Sequence, residues 1–189
     1  KAHGAMPGSL IFIGNRKMEK TELHYLLYSN DEVTEKQVER LEEIPREIPG
    51  NSVLWINVYG LQDVDIIAGL GERFSIPPLE QEDILNTDQR PKISGNPENL
   101  TIFLKILEFR QQTLQVGGDH LSIVIGENFV ITFQERVAGY FEPVRERIRN
   151  KKGRIRMRGP DYLAYALIDT LIDNYMNTIE SLGDKKKKM

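Results

Sequence analysis

Residues 52–60, Ser-Val-Leu-Trp-Ile-Asn-Val-Tyr-Gly, form an apolar run of strand length that stops at a glycine. A run with so little alternation has no face to give to water, so it reads as a central strand covered on both sides. A chain built around it must supply a layer on each face. The sequence that follows supplies helices. From 62 to 74 the apolar residues Ile66, Ile67, Leu70 and Phe74 recur at helical spacing, and Ser75-Ile76-Pro77-Pro78 resets the chain before a second short helix over 79–86.

Strand, helix, helix in succession is an α/β signature. Further strands are expected at 9–13, 21–29, 99–110, 121–125 and 128–134. A hairpin at Gly14-Asn15-Arg16-Lys17 would join the first two, and Gly126-Glu127 the last two. Residues 30–43 read as a short surface helix, with Val33, Val38 and Leu41 as apolar points and Thr34 followed by Gln37 as a cap. Helices over 139–150 and 161–182 close the chain. The expected fold is an α/β/α sandwich with a mixed central sheet of about six or seven strands, helices on both faces and a long C-terminal helix. Residues 9–182 form one domain in this reading. Residues 1–8 read as an unstructured or non-natural start, and 183–189 as a truncated or artificial lysine tail.

The chain has no cysteine, which excludes a disulfide scaffold and a thiolate metal site. Its histidines, His3, His24 and His120, are scattered, and no catalytic triad or phosphate loop is present, so no enzyme is expected. No run approaches the roughly 20 apolar residues that cross a bilayer. The formal net charge is −3 although Lys185 to Lys188 contribute four positives, so the body is acidic and nucleic acid is not an expected partner.

Charge gathers in three places. On the last helix Leu163, Leu167, Ile168, Leu171, Ile172, Tyr175, Ile179 and Leu182 share one half, which is expected to face the sheet. Asp169 and Asp173 lie on the other side at i and i+4, where like charges repel. They suit either a solvated acidic face or a divalent cation held at a subunit contact. In Glu80-Gln81-Glu82-Asp83, acids near a helix start complement its dipole, or serve ions held between surfaces. Between Arg145 and Arg158 eight basic residues stand against Glu146 alone. Pairing with acids of this or a neighbouring chain accounts for them better than nucleic acid, since aromatic residues are not interleaved.

The stretch Leu79-Glu80-Gln81-Glu82-Asp83-Ile84-Leu85-Asn86-Thr87-Asp88-Gln89-Arg90-Pro91-Lys92 resembles a block of the CorA family of magnesium transporters. Phe133-Gln134-Glu135, the segment from Phe141 to Arg149, and Asp161-Tyr162-Leu163 leading through Asp169 and Asp173 to Tyr175 are similar to the same family, in the same order. The resemblance implies the cytoplasmic domain of a homopentameric transporter at the inner face of the cell membrane. It implies Mg²⁺, with Co²⁺ or Ni²⁺ as further ions, and regulatory sites between neighbouring domains that favour a closed pore. Glu82 and Asp83 match one side of those sites and Asp169 the other, with Asp173 beside it. The family's Gly-Met-Asn signature and membrane helices are not among these residues, and Asp119-His120 stands where Glu-Gln is expected. A transporter of zinc or another divalent metal, and a free-standing metal-binding or interaction domain, are the alternatives; scarce His and absent Cys suit zinc poorly.

Overall fold

The structure is a computed structural model that describes residues 9–110, 113 and 115–186. The expected start over 1–8 and the last tail residues, 187–189, lie outside the described residues. Seven strands form one sheet: β1 (Glu22–Tyr28), β2 (Val33–Val38), β3 (Val53–Tyr59), β4 (Lys92–Gly95), β5 (Leu100–Arg110), β6 (Gln115–Ile125) and β7 (Phe129–Gln134). Their order is β2-β1-β3-β7-β6-β5-β4, with β3 and β7 parallel and every other pair antiparallel. Four α-helices cover it: α1 (Val64–Arg73), α2 (Pro78–Leu85), α3 (Glu142–Arg149) and α4 (Pro160–Lys186).

The expected central strand is β3, and all seven of its residues are buried. Strand alternation divides its side chains between two cores. Leu54, Ile56 and Val58 join Ile67 and Leu70 of α1 and Ile84 and Leu85 of α2 on one face. Val53 and Trp55 join Val144 and Ile148 of α3 and Leu163, Leu167 and Leu171 of α4 on the other. Two helices therefore lie on each side of the sheet. The α/β/α sandwich with a mixed sheet is the fold of this chain.

Three local expectations need correction. Residues 30–43 are not a helix: they hold β2, antiparallel to β1, and a single 3₁₀ turn at Leu41–Glu43. Val33, Val38 and Leu41 would share an arc of about 140° on a helix, but pairing with β1 holds the backbone extended and lets Val38 face the core from an edge strand. Exposed Glu35, Lys36 and Gln37 of β2 keep that edge polar. Residues 9–13 do not form a strand of the sheet. Only Ile13 bridges, in parallel with Asn86, through Ile13 N–H to Leu85 O and Thr87 N–H to Ile13 O, each 2.9 Å. The sheet also gains β4 at its far edge, a short segment too polar to announce itself.

The third correction concerns α4. Leu163, Ala164, Ala166, Leu167, Leu171 and Thr178 are buried, whereas Ile172 and Ile179 are 51% and 58% exposed. The apolar half divides into a sheet-facing stripe and an outward one that Tyr165 and Met176 extend. Leu167→Ala is expected to lower the unfolding free energy in urea by about 2–5 kcal/mol, and Ile172→Ala to change it by less than about 0.5 kcal/mol.

Candidate metal-binding surface

α2 carries the acidic run, and the way it is clamped decides which acids reach the surface. Pro78 opens the helix with its fixed φ, and Ser75 before it occupies the left-handed region at φ 54°. Asn99 secures that reversal by donating from Nδ2 to the carbonyls of Phe74 and Ser75, 2.9 and 3.2 Å away. Gln81 donates to Ile76 O at 2.7 Å and lies against Gly71, where any Cβ would meet its amide at 2.0 Å. That glycine lets α1 and α2 approach.

Glu80, Gln81, Ile84 and Leu85 form the buried side of α2. The Glu80 carboxylate, in sequence a surface acid, is 5% exposed. It accepts hydrogen bonds from Ser94 Oγ of β4, at 2.9 Å, and from Thr101 Oγ1 of β5. Glu82 and Asp83 remain on the half-buried outer side. Asp83 Oδ2 is paired with Lys92 Nζ of β4 at 2.6 Å, and that ammonium lies 5.3 Å from the centre of the Phe103 ring.

Beneath α2 sits His120, fully buried on β6 and stacked on Phe103 with ring centroids 6.2 Å apart. Its Nε2 contacts Ser122 Oγ at 3.0 Å, and its Nδ1 has no partner of good geometry among the described residues, although the Asp83 backbone lies near the ring. Burial, with the Lys105 cation nearby, pushes its pKa down to about 3. The adjacent Asp119 pairs with Lys17 at 2.7 Å and Arg136 at 2.6 Å, and Glu135 pairs with Lys17 at 3.0 Å. The two cations hold the Asp119 carboxyl below the usual range against the opposing effect of burial. Asp119 and Glu135 thus fasten the N-terminal segment to the sheet through Lys17.

Asp169 and Asp173 are exposed on α4, in the helical layer across the sheet from α2. The structure does not bring the four expected ligands together in one chain. Among the described residues no three His, Cys, Asp or Glu side chains are grouped so as to hold a metal ion. Both surfaces carry carboxylates, the donor class that hard cations take, and the Asp83 carboxylate is shared with Lys92.

Three residues of the basic segment, Arg145, Arg149 and Arg156, have partners within the chain. Arg145 is buried, donating to Asn57 Oδ1 at 2.6 Å and to Tyr59 Oη, with its guanidinium 4.9 Å from the centre of the Trp55 ring. Arg149 grips Glu35 of β2 at 2.6 and 2.7 Å and also pairs with Glu142. Arg156 donates to Ser29 O at 2.8 Å. Sequence reasoning placed Glu80 among the surface acids and did not see the burial of His120 or the pairing of Lys92. For Glu80 a signal existed, since it stands four residues before the buried Ile84 on the same side of α2.

Residues 50–189 match the family described as CorA-like Mg²⁺ transporter protein. The chain is 35% identical over 182 residues to the cobalt/magnesium transport protein CorA of Thermotoga maritima, covering 96% of this chain and 52% of that one. Its fold is shared by the complete CorA magnesium transporter of Methanocaldococcus jannaschii, with TM-score 0.62, 18% identity and coverage of 87% of this chain and 49% of that one. It is shared also by the full-length CmaX protein, with TM-score 0.70, 16% identity and coverage of 90% and 51%. The chain belongs to the CorA family of Mg²⁺ transporter proteins. It spans about half the length of the relatives it matches, and no described helix is long and apolar enough to cross a membrane.

The neutral burial of His120 predicts acid sensitivity. Its folded pKa lies below the ordinary value of 6.5, so its contribution to stability is complete above 6.5 and is lost as pH falls towards about 3. Between pH 6.5 and 5 the loss amounts to about 2 kcal/mol. Urea unfolding at pH 7 and pH 5 should show this slope in the unaltered chain, and His120→Gln should flatten it by about one proton.

Proposed function

We propose that this chain is the cytoplasmic, Mg²⁺-sensing part of a CorA-type divalent-cation transporter that works as a homopentamer at the inner face of the cell membrane. Residues 9–182 would be the sensing domain, and segments outside these 189 residues would supply membrane passage. The relatives' names support Mg²⁺ and Co²⁺ as cargo. The observation that carries the reading is the separation of the acids: Glu82 and Asp83 in one helical layer, Asp169 and Asp173 in the opposite one.

In a ring of identical subunits, each interface joins two different surfaces of neighbouring copies, and the two helical layers would supply them. The α2 acids of one copy would then meet the α4 acids of the next, and a hydrated Mg²⁺ between them would replace repulsion by attraction. Mg²⁺ dehydrates reluctantly and needs few direct carboxylates, which matches surfaces bearing two acids each. When the ion concentration falls, the faces repel and the ring loosens. Nothing in this cycle requires covalent chemistry. The all-oxygen donors favour Mg²⁺ over zinc, which prefers nitrogen and sulfur.

Asp83→Asn and Asp169→Asn, each in the full-length polypeptide, are expected to raise the internal Mg²⁺ needed to close the pathway while leaving maximal flux intact. Ion flux into proteoliposomes at graded internal Mg²⁺ checks this. Unchanged sensitivity in both variants overturns the sensor assignment, and lost flux with intact assembly overturns the separation of sensor from pore.

A further inference from the structure

β4 presents two side chains to α2, and each fastens a different acid. Ser94 binds the buried Glu80, and Lys92, two residues earlier on the same side of the strand, binds Asp83, three residues later on the helix. The register opposes Lys92 to Phe103 of β5, whose ring lies under the ammonium. Lys92 is therefore held at Asp83 from three directions: its strand, the aromatic face and the 2.6 Å ion pair. Its side chain is 41% exposed and that of Asp83 25%, so the pair borders solvent where an ion could approach.

We infer that Lys92 is the affinity-setting residue of this surface: a tethered cation that occupies Asp83 in the metal-free state and competes with Mg²⁺ for it. The inference rests on the reading of Asp83 as a metal-binding residue. An ammonium on Oδ2 occupies one of the two carboxylate oxygens open to an ion or its bound water, and its charge opposes a divalent ion only a few ångströms away. Binding then requires Lys92 to leave the carboxylate or to remain beside the ion against repulsion. Either route weakens the site and moves its midpoint to higher Mg²⁺. In the metal-free state the same ammonium neutralises part of the acidic surface.

The test is the Mg²⁺ concentration giving half-maximal protection of the purified full-length polypeptide from chymotrypsin, whose cleavage does not depend on lysine. Lys92→Gln is expected to lower that midpoint by about fivefold. Lys92→Met, which keeps an aliphatic side chain over Phe103, should behave alike, and Lys92→Arg should return the midpoint close to its original value. Lys36→Gln, on exposed β2 at the other edge of the sheet, should leave it unchanged. In an Asp83→Asn background Lys92→Gln should have no further effect. If Lys92→Gln leaves the midpoint in place or raises it, or if Lys36→Gln lowers it equally, the inference falls while a shift caused by Asp83→Asn keeps the metal reading. If Asp83→Asn itself leaves the midpoint in place, the metal reading of Asp83 falls and the inference with it.

Discussion

Burial of β3 on both faces is the constraint from which the rest of the architecture follows. Leu54, Trp55, Ile56 and Val58 are fully removed from water, and alternation sends them to opposite sides. One helical layer would leave half of them exposed, so α1 and α2 must occupy one face and α3 and α4 the other. Helical layers on opposite faces of a sheet lie on the order of 20 Å apart. No rotamer of Asp83 or Asp169 spans that distance. The separation of the acids is a consequence of how the core is covered, and a shared ion becomes a matter for two chains rather than one.

Such surfaces can meet reproducibly only if the layers are fixed. Each is fastened by buried polar contacts whose loss would leave uncompensated charge. Arg145 ties α3 to Asn57 and Tyr59 of β3, while Trp55 donates to Thr132 of β7 at 3.1 Å. On the other side Glu80 ties α2 to β4 and β5, and Lys17 brings the N-terminal segment to Asp119 and Glu135. Buried charges of this kind stabilise little in net terms but are costly to unpair, so they define the arrangement more than they deepen it. The acids left outside are consequently displayed from a rigid frame.

Elements whose side chains announce one environment were legible in the sequence. β3 declares two-sided burial by its unbroken apolar run, and α1, α2, α3 and α4 declare themselves by period and by Pro or Asp at their starts. Residues 30–43 misled because Thr34 and Gln37 satisfy a helical cap locally, whereas the strand is fixed by hairpin pairing with β1 across residues 29–32 and by the Arg149–Glu35 bridge from distant sequence. Tertiary pairing overrode local preference there. The four acids were legible as acids, but composition does not show which is covered. Glu80 and Asp83 differ in fate through their sides of α2 and through Ser94, Thr101 and Lys92, which arrive from β4 and β5. β4 is four residues long and polar, and with it went any view of Lys92.

On the proposed reading, weak sites are what the arrangement favours. Each surface carries two carboxylates, and on α2 Asp83 is already partnered by Lys92, so a single interface would gain little from an ion. A closed ring repeats that interface identically, and its closed and loosened forms differ by the sum over all copies. A modest preference per site then shifts the whole population, because the ratio between forms is the product of the individual ratios. Tight individual sites would saturate at concentrations far below those of a cell and would report nothing. The tethered ammonium, the paucity of ligands and the rigid layers act in the same direction: they keep each site weak while the repeated interface keeps the response steep.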